Sequence, residues 1–259
     1  MDQPLVLTQN GPVAVLTIDR PEKRNAMTAA MWAAVPEVLA GPAADPAVRA
    51  LVVTGAGASF CAGADISDLL GGADPADPMA DVRRANLAAQ AALRAFPKPT
   101  VAMIRGHCIG GGVEIAASCD LRFSDPSGLF GVTPAKVGIV YPPTSTKALM
   151  ELVGPAMTKY LLFSGELIDA PTALRTGLVD QVVPAEGLES EVARFTGVLA
   201  ERSGLTQRAT KEIVAALSAG RDGEAEVAAW YRTTIDSGEL AEGVTAFTER
   251  RRPQFPWSA

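Results

Sequence analysis

The chain has 259 residues, of which 48% are hydrophobic and 20% are charged. This is the composition of a globular protein that can bury a full core, as one large domain or two small ones. The formal net charge of −6 argues against a general nucleic-acid-binding protein, which needs a basic face. No apolar run is long enough to cross a membrane.

The cysteines indicate a reducing compartment. Cys61, Cys108 and Cys119 are an odd number and lack metal-ligand spacing, so we expect free thiols. The N-terminus has no basic segment followed by an apolar run, the pattern of a signal peptide. We therefore expect a cytoplasmic protein that binds neither a membrane nor a nucleic acid.

Strand and helix patterns alternate in the first part of the chain. Two β-rich runs, Leu5–Thr8 and Val13–Ile18, flank an Asn-Gly pair and predict a hairpin. Thr28 is the expected N-cap of a helix from Ala29 to about Leu39. Ala50–Thr54 predicts a buried strand, and Gly55–Ile66 predicts a loop of small residues. Gly71–Pro78 predicts an aperiodic loop, and Met79–Phe96 predicts an amphipathic helix.

The pattern becomes helical towards the C-terminus. Leu121–Ser124 predicts a strand, Phe130–Pro143 a loop, and Gly177–Val183 a short strand that buries its last two valines. Helices are expected over Thr144–Leu152, Pro155–Phe163 and Ala170–Thr176. From Pro184 onward the sequence predicts helices only, broken at Ser203-Gly204, Gly220 and Ser237-Gly238. The order predicts an α/β fold with an α-helical C-terminal region.

The central stretch from Lys98 to Asp120 predicts a strand, a glycine-rich turn and a buried helix. Thr100–Ile104 is the strand, Arg105–Gly112 is the turn with four glycines, and Val113–Ser118 is the helix. Glycines allow a close approach of the backbone to a ligand, and the first amides of a helix can bind an anion, including one formed during a reaction. Glu114 would lie beside that position, where it could move a proton. The glycines could also serve helix packing alone, with Glu114 as a cap.

Four segments in order resemble the enoyl-CoA hydratase/isomerase family, also called the crotonase superfamily. They are Pro21–Met27, Phe60–Ile66, Gly110–Glu114 with Cys119-Asp120, and Thr248–Arg252 with Phe255. The resemblance covers nearly the whole chain. It implies a crotonase-like spiral of repeated ββα units over residues 1–200 and a helical region over 201–259. That helical region would build a homotrimer or hexamer and cover the active site.

The resemblance also implies an active site for an acyl-CoA thioester. The backbone N–H groups of Ala64 and Gly111 would form an oxyanion hole, with Glu114 as the acid or base. Contacts to the substrate and its coenzyme A are expected from Arg24, Ala26, Ala62, Asp65, Ile66, Gly110 and Pro134. No metal and no cofactor beyond the coenzyme A of the substrate are implied.

The chain departs from the family's hydratases at the second catalytic glutamate. That residue would fall four positions after Phe130, where the chain has Pro134, which cannot move a proton. General acid–base catalysis contributes typically about 10²–10⁴-fold, so its loss should slow hydration. The segment from Thr133 to Tyr141 is similar to the methylmalonyl-CoA decarboxylase branch, where such a Tyr orients the carboxylate that is lost. Tyr141 could equally be a packing residue.

Three functional hypotheses follow. The first is hydration or isomerisation at C2–C3 of an acyl-CoA, the second is decarboxylation of a short malonyl-type acyl-CoA, and the third is acyl-CoA binding without catalysis. The lone histidine, His107, is interpreted as structural, and Ser59 and Ser118 show no partners that would make either a nucleophile. The arginines at 250–252 could contact coenzyme A phosphates or form a solvated face.

Overall fold

The computed structural model describes residues 4–68 and 76–257. In these ranges the strands are β1 (Leu5–Asn10), β2 (Val13–Ile18), β3 (Ala50–Gly55), β4 (Thr100–Ile104), β5 (His107–Ile109), β6 (Leu121–Ser124), β7 (Leu129–Gly131), β8 (Ile168–Asp169) and β9 (Gln181–Val182). The α-helices are α1 (Ala29–Ala44), α2 (Ala80–Arg94), α3 (Gly111–Ser118), α4 (Pro134–Val137), α5 (Pro143–Ser164), α6 (Ala170–Thr176), α7 (Leu188–Ala200), α8 (Gly204–Ser218), α9 (Glu224–Asp236) and α10 (Glu239–Glu249). Positions 71–75 of the predicted aperiodic loop lie outside the described residues.

The larger sheet has six strands in the order β1-β2-β3-β4-β6-β9. The predicted hairpin is confirmed, because β1 and β2 pair antiparallel from Leu5 opposite Ile18 to Asn10 opposite Val13. The remaining pairs of this sheet are parallel. Parallel strands need helices on their faces, which explains why β3 and β4 are almost wholly apolar and buried.

A second sheet has the order β5-β7-β8. It corrects the prediction of one continuous turn over Arg105–Gly112, because His107–Ile109 is a strand that pairs parallel with β7. The three-residue strand is too short to have a recognisable period, and it forms because β7, distant in the chain, supplies its hydrogen-bond partners.

The helix boundaries largely follow the sequence prediction. Thr28 is the N-cap of α1, since its Oγ1 accepts from the amide of Met31 at 3.2 Å. The helix continues past the predicted end to Ala44 with Pro36 and Pro42 inside it. The two predicted helices on either side of residue 154 follow each other directly, separated by the non-helical backbone of Gly154.

The main core lies between the larger sheet and helices α1, α2, α3 and α5. Its largest fully buried side chains include Trp32, Phe60, Phe96 and Phe130. A smaller cluster on the other face of the sheet contains Phe123, whose ring lies 5.4 Å from that of Phe195 on α7. The predicted burial of both valines at the end of β9 is wrong, because Val182 and Val183 are only half-buried at an edge strand.

The fold is thus a mixed α/β structure followed by helices α7 to α10, as predicted. Within the ranges that the structure covers, no helix combines the length and apolarity that crossing a bilayer requires. The sheets bring three loops to one place, and these loops carry the candidate site.

Candidate active site

The turn between β2 and α1 forms the first wall of the site, and Asn25 holds it in place. The side chain is fully buried, and its Oδ1 accepts from the amide of Arg20 at 2.9 Å. Its Nδ2 donates to the carbonyls of Ala56 and Ser59 at 2.9 and 2.6 Å. One buried amide therefore ties the turn to the loop that follows β3.

The loop after β3 forms the second wall and is fastened by backbone hydrogen bonds on both sides. On one side, the amide of Ala62 donates to the carbonyl of Arg24 at 2.9 Å. The amide of Met27 donates to the carbonyl of Gly63, and the amide of Asp65 donates to the carbonyl of Met27. On the other side, Cys61 lies beside Cys108 of β5 as a parallel bridge. The backbone of this loop is therefore positioned on both sides.

Two amides at this junction have no acceptor. Neither the N–H of Ala64 nor that of Gly111, the first residue of α3, donates to any group in the part of the chain that the structure describes. The two lie close together, because a Cβ built on Gly111 would be 3.5 Å from the nitrogen of Ala64. Both residues are only partly buried, so a ligand can reach them. The two amides that were predicted as donors are thus free and close together, and their role as an oxyanion hole stays a prediction.

Two glycines allow this approach. A Cβ on Gly112 would collide with the carbonyl oxygen of Cys61, and a Cβ on Gly111 would lie 2.8 Å from the indole of Trp32. The packing interpretation of these glycines is therefore correct, and it is compatible with the oxyanion interpretation. Close packing of α3 against the loop is what brings the two amides together.

Glu114 follows the free amide of Gly111 by three residues and is 7% exposed. It does not cap α3, since no side chain hydrogen-bonds the first amides of that helix. Its Oε2 accepts from Nδ2 of Asn86 at 2.8 Å, and its carboxyl group also hydrogen-bonds Ser145 and Tyr141. Burial raises the pKa of Glu114, and these three donors partly oppose that rise. The group can therefore exchange a proton nearer to neutral pH than an exposed glutamate.

Tyr141 and Pro134 occupy the side where the second family glutamate is expected. Pro134 is buried as the first residue of α4. Tyr141 hydrogen-bonds Glu114, and burial together with the nearby negative charge of Glu114 raises the pKa of the phenol well above its usual value. The phenol therefore stays protonated and donates. Tyr141 also packs against the core, so the packing alternative holds alongside the contact with Glu114.

The predicted coenzyme A contacts fall into two groups. Arg24 is exposed, adopts a left-handed backbone conformation with φ 50°, and has no ion-pair partner among the residues with described positions. Ile66 is 74% exposed, so both side chains are available to a ligand. Asp65 instead accepts hydrogen bonds from Ser67 and pairs with Arg20 at 3.0 Å, and these contacts lower its pKa, those from Ser67 most. Its role in the structure is to hold the turn and loop together.

The remaining small positions line the same junction. Ala26, Ala62 and Gly110 are half-buried, and the amide of Gly110 donates to the carbonyl of Gly131 in β7. The amide of Gly110 is therefore engaged, whereas that of Gly111 is free. How any of these residues contacts a substrate stays a prediction.

Two of the three arginines near the C-terminus are already paired. Arg251 bonds Glu242 and Glu249, and Arg252 bonds Glu201. Only Arg250 shows no ion pair in the described ranges, so the tail is less available to a phosphate than its sequence indicated.

The structure gives little support for a nucleophilic serine or cysteine at this junction. Ser59 does meet a histidine, with 3.3 Å between its Oγ and Nδ1 of His107, a pairing that the sequence did not show. Burial raises the pKa of the Cys61 thiol to about 12, so the thiol stays protonated.

Sequence reasoning missed the side chains that surround Glu114. Asn86 and Gln90 lie on α2, and Ser145 lies on α5. A signal was present, since Asn86, Gln90 and Arg94 recur every fourth residue of α2, but a polar stripe on a helix ordinarily faces solvent. Here the stripe is buried against α3.

Free amides from two loops beside a buried carboxyl group are characteristic of enzymes that stabilise an oxyanion formed from a carbonyl. The family model "Enoyl-CoA hydratase/isomerase" matches residues 8–257. The chain therefore belongs to the enoyl-CoA hydratase/isomerase family, and the predicted family, fold and hydratase/isomerase-type acyl-CoA chemistry are confirmed.

Individual relatives are similar along their full length. The chain is 33% identical to an (E)-benzylidenesuccinyl-CoA hydratase of Thauera aromatica, covering 97% of this chain and 98% of the relative. It is 32% identical to a crotonyl-CoA hydratase of Syntrophomonas wolfei, covering 97% of both. A crystal structure of an enoyl-CoA hydratase/carnithine racemase from Magnetospirillum magneticum superposes with a TM-score of 0.93 at 32% identity, covering 98% of this chain and 96% of that one.

Proposed function

We propose that this chain acts on C2–C3 of an acyl-CoA by hydration or isomerisation, through an enolate held by the amides of Ala64 and Gly111. The observation that carries the proposal is the pair of free, adjacent N–H groups with Glu114 one turn along α3. A thioester oxygen gains negative charge when the enolate forms, so donors aimed at it lower the barrier, by about 3–4 kcal/mol for each donor.

Glu114 is the acid and base of this proposal. Isomerisation needs one group that removes a proton from C2 and returns it to C4, and a single carboxylate between them suffices. Hydration needs a proton removed from water and another delivered to C2. The group that faces Glu114 from the loop before α5 is the phenol of Tyr141, which stays protonated. The arrangement therefore favours chemistry that needs one carboxylate.

Decarboxylation of a short malonyl-type acyl-CoA is the second candidate, and Pro134 with Tyr141 is the observation that favours it. Loss of carbon dioxide leaves the same enolate, so the two amides supply the main stabilisation and no second carboxylate is needed. A protonated phenol beside Glu114 can hold the substrate carboxylate in place by donating to it.

Turnover of three substrates separates the candidates. Crotonyl-CoA, a 3-enoyl-CoA and methylmalonyl-CoA are incubated with the purified protein, and the products are identified by mass. A mass gain of one water indicates hydration, an unchanged mass with a conjugated double bond indicates isomerisation, and loss of carbon dioxide indicates the second candidate. Coenzyme A binding without turnover of any of the three, in wild type and in Pro134→Glu, would contradict both.

Pro134→Glu tests the missing glutamate directly. If a second carboxylate limits hydration, this change increases crotonyl-CoA hydration, with Pro134→Gln as the uncharged control. Equal rates in the two variants would show that the backbone of α4 also differs from that of a two-glutamate site.

Self-association and cofactor use complete the proposal. We expect a homotrimer or hexamer, which is supported by large apolar side chains that a single chain leaves exposed, such as Phe163 of α5 at 77% and Phe247 of α10 at 87%. Light scattering measures the mass of the assembly. The proposed reaction uses no cofactor beyond the coenzyme A of the substrate, and full turnover after dialysis against EDTA is the expected result.

A further inference from the structure

Helix α2 carries a polar stripe that runs inwards to Glu114. Asn86 and Gln90 are 8% and 1% exposed, and Arg94 is half-buried one turn further on. The apolar side chains of Val82 and Leu93 are buried on the same helix. Polar side chains at such positions cost stability unless they are hydrogen-bonded, so their partners indicate what they do.

The three side chains form a continuous hydrogen-bond chain. Nη1 of Arg94 donates to Oε1 of Gln90 at 3.2 Å, and Nε2 of Gln90 donates to Oδ1 of Asn86 at 2.7 Å. Nδ2 of Asn86 then donates to Oε2 of Glu114 at 2.8 Å. Each link accepts from the one before it and donates to the one after it.

The direction of this chain is determined at its arginine end. A guanidinium can only donate, so the oxygen of Gln90 must face Arg94 and its nitrogen must face Asn86. The oxygen of Asn86 then faces Gln90, which leaves its nitrogen for Glu114. An ionised carboxylate can only accept, and it is therefore the form of Glu114 that matches the chain at its other end.

We infer that Arg94, Gln90 and Asn86 form a positioning relay that holds the ionised carboxylate of Glu114 in one orientation for proton transfer. The inference rests on the proposed role of Glu114. Arg94 is joined to that carboxylate by three successive hydrogen bonds, and its positive charge also lowers the pKa of Glu114 through space, so it acts without touching the reacting atoms. These are positioning residues, and they were not expected from the family motifs.

The other groups around Glu114 support this assignment. Ser145 of α5 lies between Gln90 and Glu114. Its Oγ is 3.0 Å from Nε2 and 3.2 Å from Oε1 of Gln90, and its hydrogen bond with Glu114 lowers the pKa of that carboxyl. Tyr141 donates from the loop before α5. Among the described residues, the charged or titratable groups that act on the cluster are Arg94 from α2, Glu151 from α5, which acts on Arg94, and Tyr141. The thiols of Cys61, from the loop after β3, and of Cys108 in β5 also act on it, and burial raises the pKa of both, so they stay protonated.

The test uses the pH dependence of kcat for the substrate that the wild-type protein turns over. Arg94→Met keeps the aliphatic stem and removes the donor at the far end of the relay, and Asn86→Leu removes the donor to Glu114. Both changes disfavour the ionised carboxylate. The expected result is a shift of the activity onset to higher pH by about one unit and a decrease in kcat of about 10- to 100-fold. KM should stay within about twofold, because the coenzyme A contacts are elsewhere.

Two matched variants separate positioning from packing. Ser118→Ala removes the other acceptor of Arg94, at 3.2 Å from Nη1, without breaking the relay, so its pH profile should equal that of the wild type. Arg94→Lys restores a donor and should recover most of kcat. An unshifted onset in Asn86→Leu, or an equal shift in Ser118→Ala, would overturn the relay, because the through-space charge of Arg94 would then explain any shift in Arg94→Met.

A spectroscopic measurement keeps the relay independent of the reaction. The protonated carboxyl of Glu114 has an infrared carbonyl band, which is identified by its absence in Glu114→Gln. In Asn86→Leu, which keeps the charge of Arg94, this band should persist to higher pH than in the wild-type protein. If the band moves and no acyl-CoA is turned over, the relay stands and the proposed function fails. If turnover depends on Glu114 and the band does not move, the relay fails alone.

Discussion

Removing one backbone amide is the most direct test of the site, and the chain offers a matched pair of substitutions for it. Gly111→Pro deletes the N–H that begins α3, and Gly111→Ala adds the same Cβ but keeps the amide. Proline is well tolerated at the first position of a helix, where the amide has no intrahelical partner. The two variants therefore differ mainly in the proposed oxyanion donor.

The structure indicates how large each effect should be. In both variants the new Cβ lies 2.8 Å from the ring of Trp32, a fully buried side chain, so both should lose about 1–3 kcal/mol of stability from overpacking. Only Gly111→Pro loses the donor, which should reduce kcat by a further factor of about 10²–10³.

The assay compares kcat and KM of the two variants for the substrate that the wild type turns over. Circular dichroism and coenzyme A binding verify that both variants are folded. We expect similar thermal midpoints, similar coenzyme A affinity and a kcat ratio of at least about 10² in favour of Gly111→Ala. Equal kcat values in two folded variants would refute the reasoning, since the amide of Gly111 would then have no part in the transition state.

Three further outcomes are expected. Burial raises the pKa of Glu114, so its contribution to stability is present below the ordinary carboxyl range and is lost as pH rises through the raised pKa. The thermal midpoint of Glu114→Gln should therefore increase relative to that of the wild type as pH increases. A difference between the two midpoints that does not change with pH, measured by calorimetry, would contradict this. Asn25→Ala removes the three hydrogen bonds of a buried side chain and should lower the free energy of unfolding by about 2–4 kcal/mol in urea titrations. A change below about 1 kcal/mol would mean that other contacts hold the turn. Arg24→Ala should weaken coenzyme A binding by about 3- to 10-fold, measured by calorimetry. The control is Arg194→Ala, because Arg194 is exposed and already paired with Glu191. Equal affinity in both variants would show that Arg24 does not contact the coenzyme A phosphates.

Much of the fold was readable because its elements carry local signals. The hairpin follows from alternating residues around Asn-Gly, α1 begins at the threonine that caps it, and Thr100–Ile104 is the strand that was predicted. The errors fall where local signals are weak. The strand His107–Ile109 depends on pairing with β7, and the half-buried Val182 depends on lying at the edge of the sheet.

The candidate site divides in the same way. The sequence by itself determined which groups are available, namely a glycine-rich helix start, a single glutamate beside it, and a proline where the family's second glutamate is expected. These are matters of residue identity at a position in a motif, and no folding is needed to read them.

Only the tertiary structure decided which of these groups meet. The amide of Ala64 reaches that of Gly111 because backbone pairing of Cys61 with β5 and of Met27 with Gly63 holds two distant loops together. Likewise, Asn86 reaches Glu114 only because α2 packs its polar stripe inwards against α3. Hydrogen bonds between residues far apart in the chain depend on the packing of whole helices and sheets. The sequence next to the donor or the acceptor therefore does not predict them.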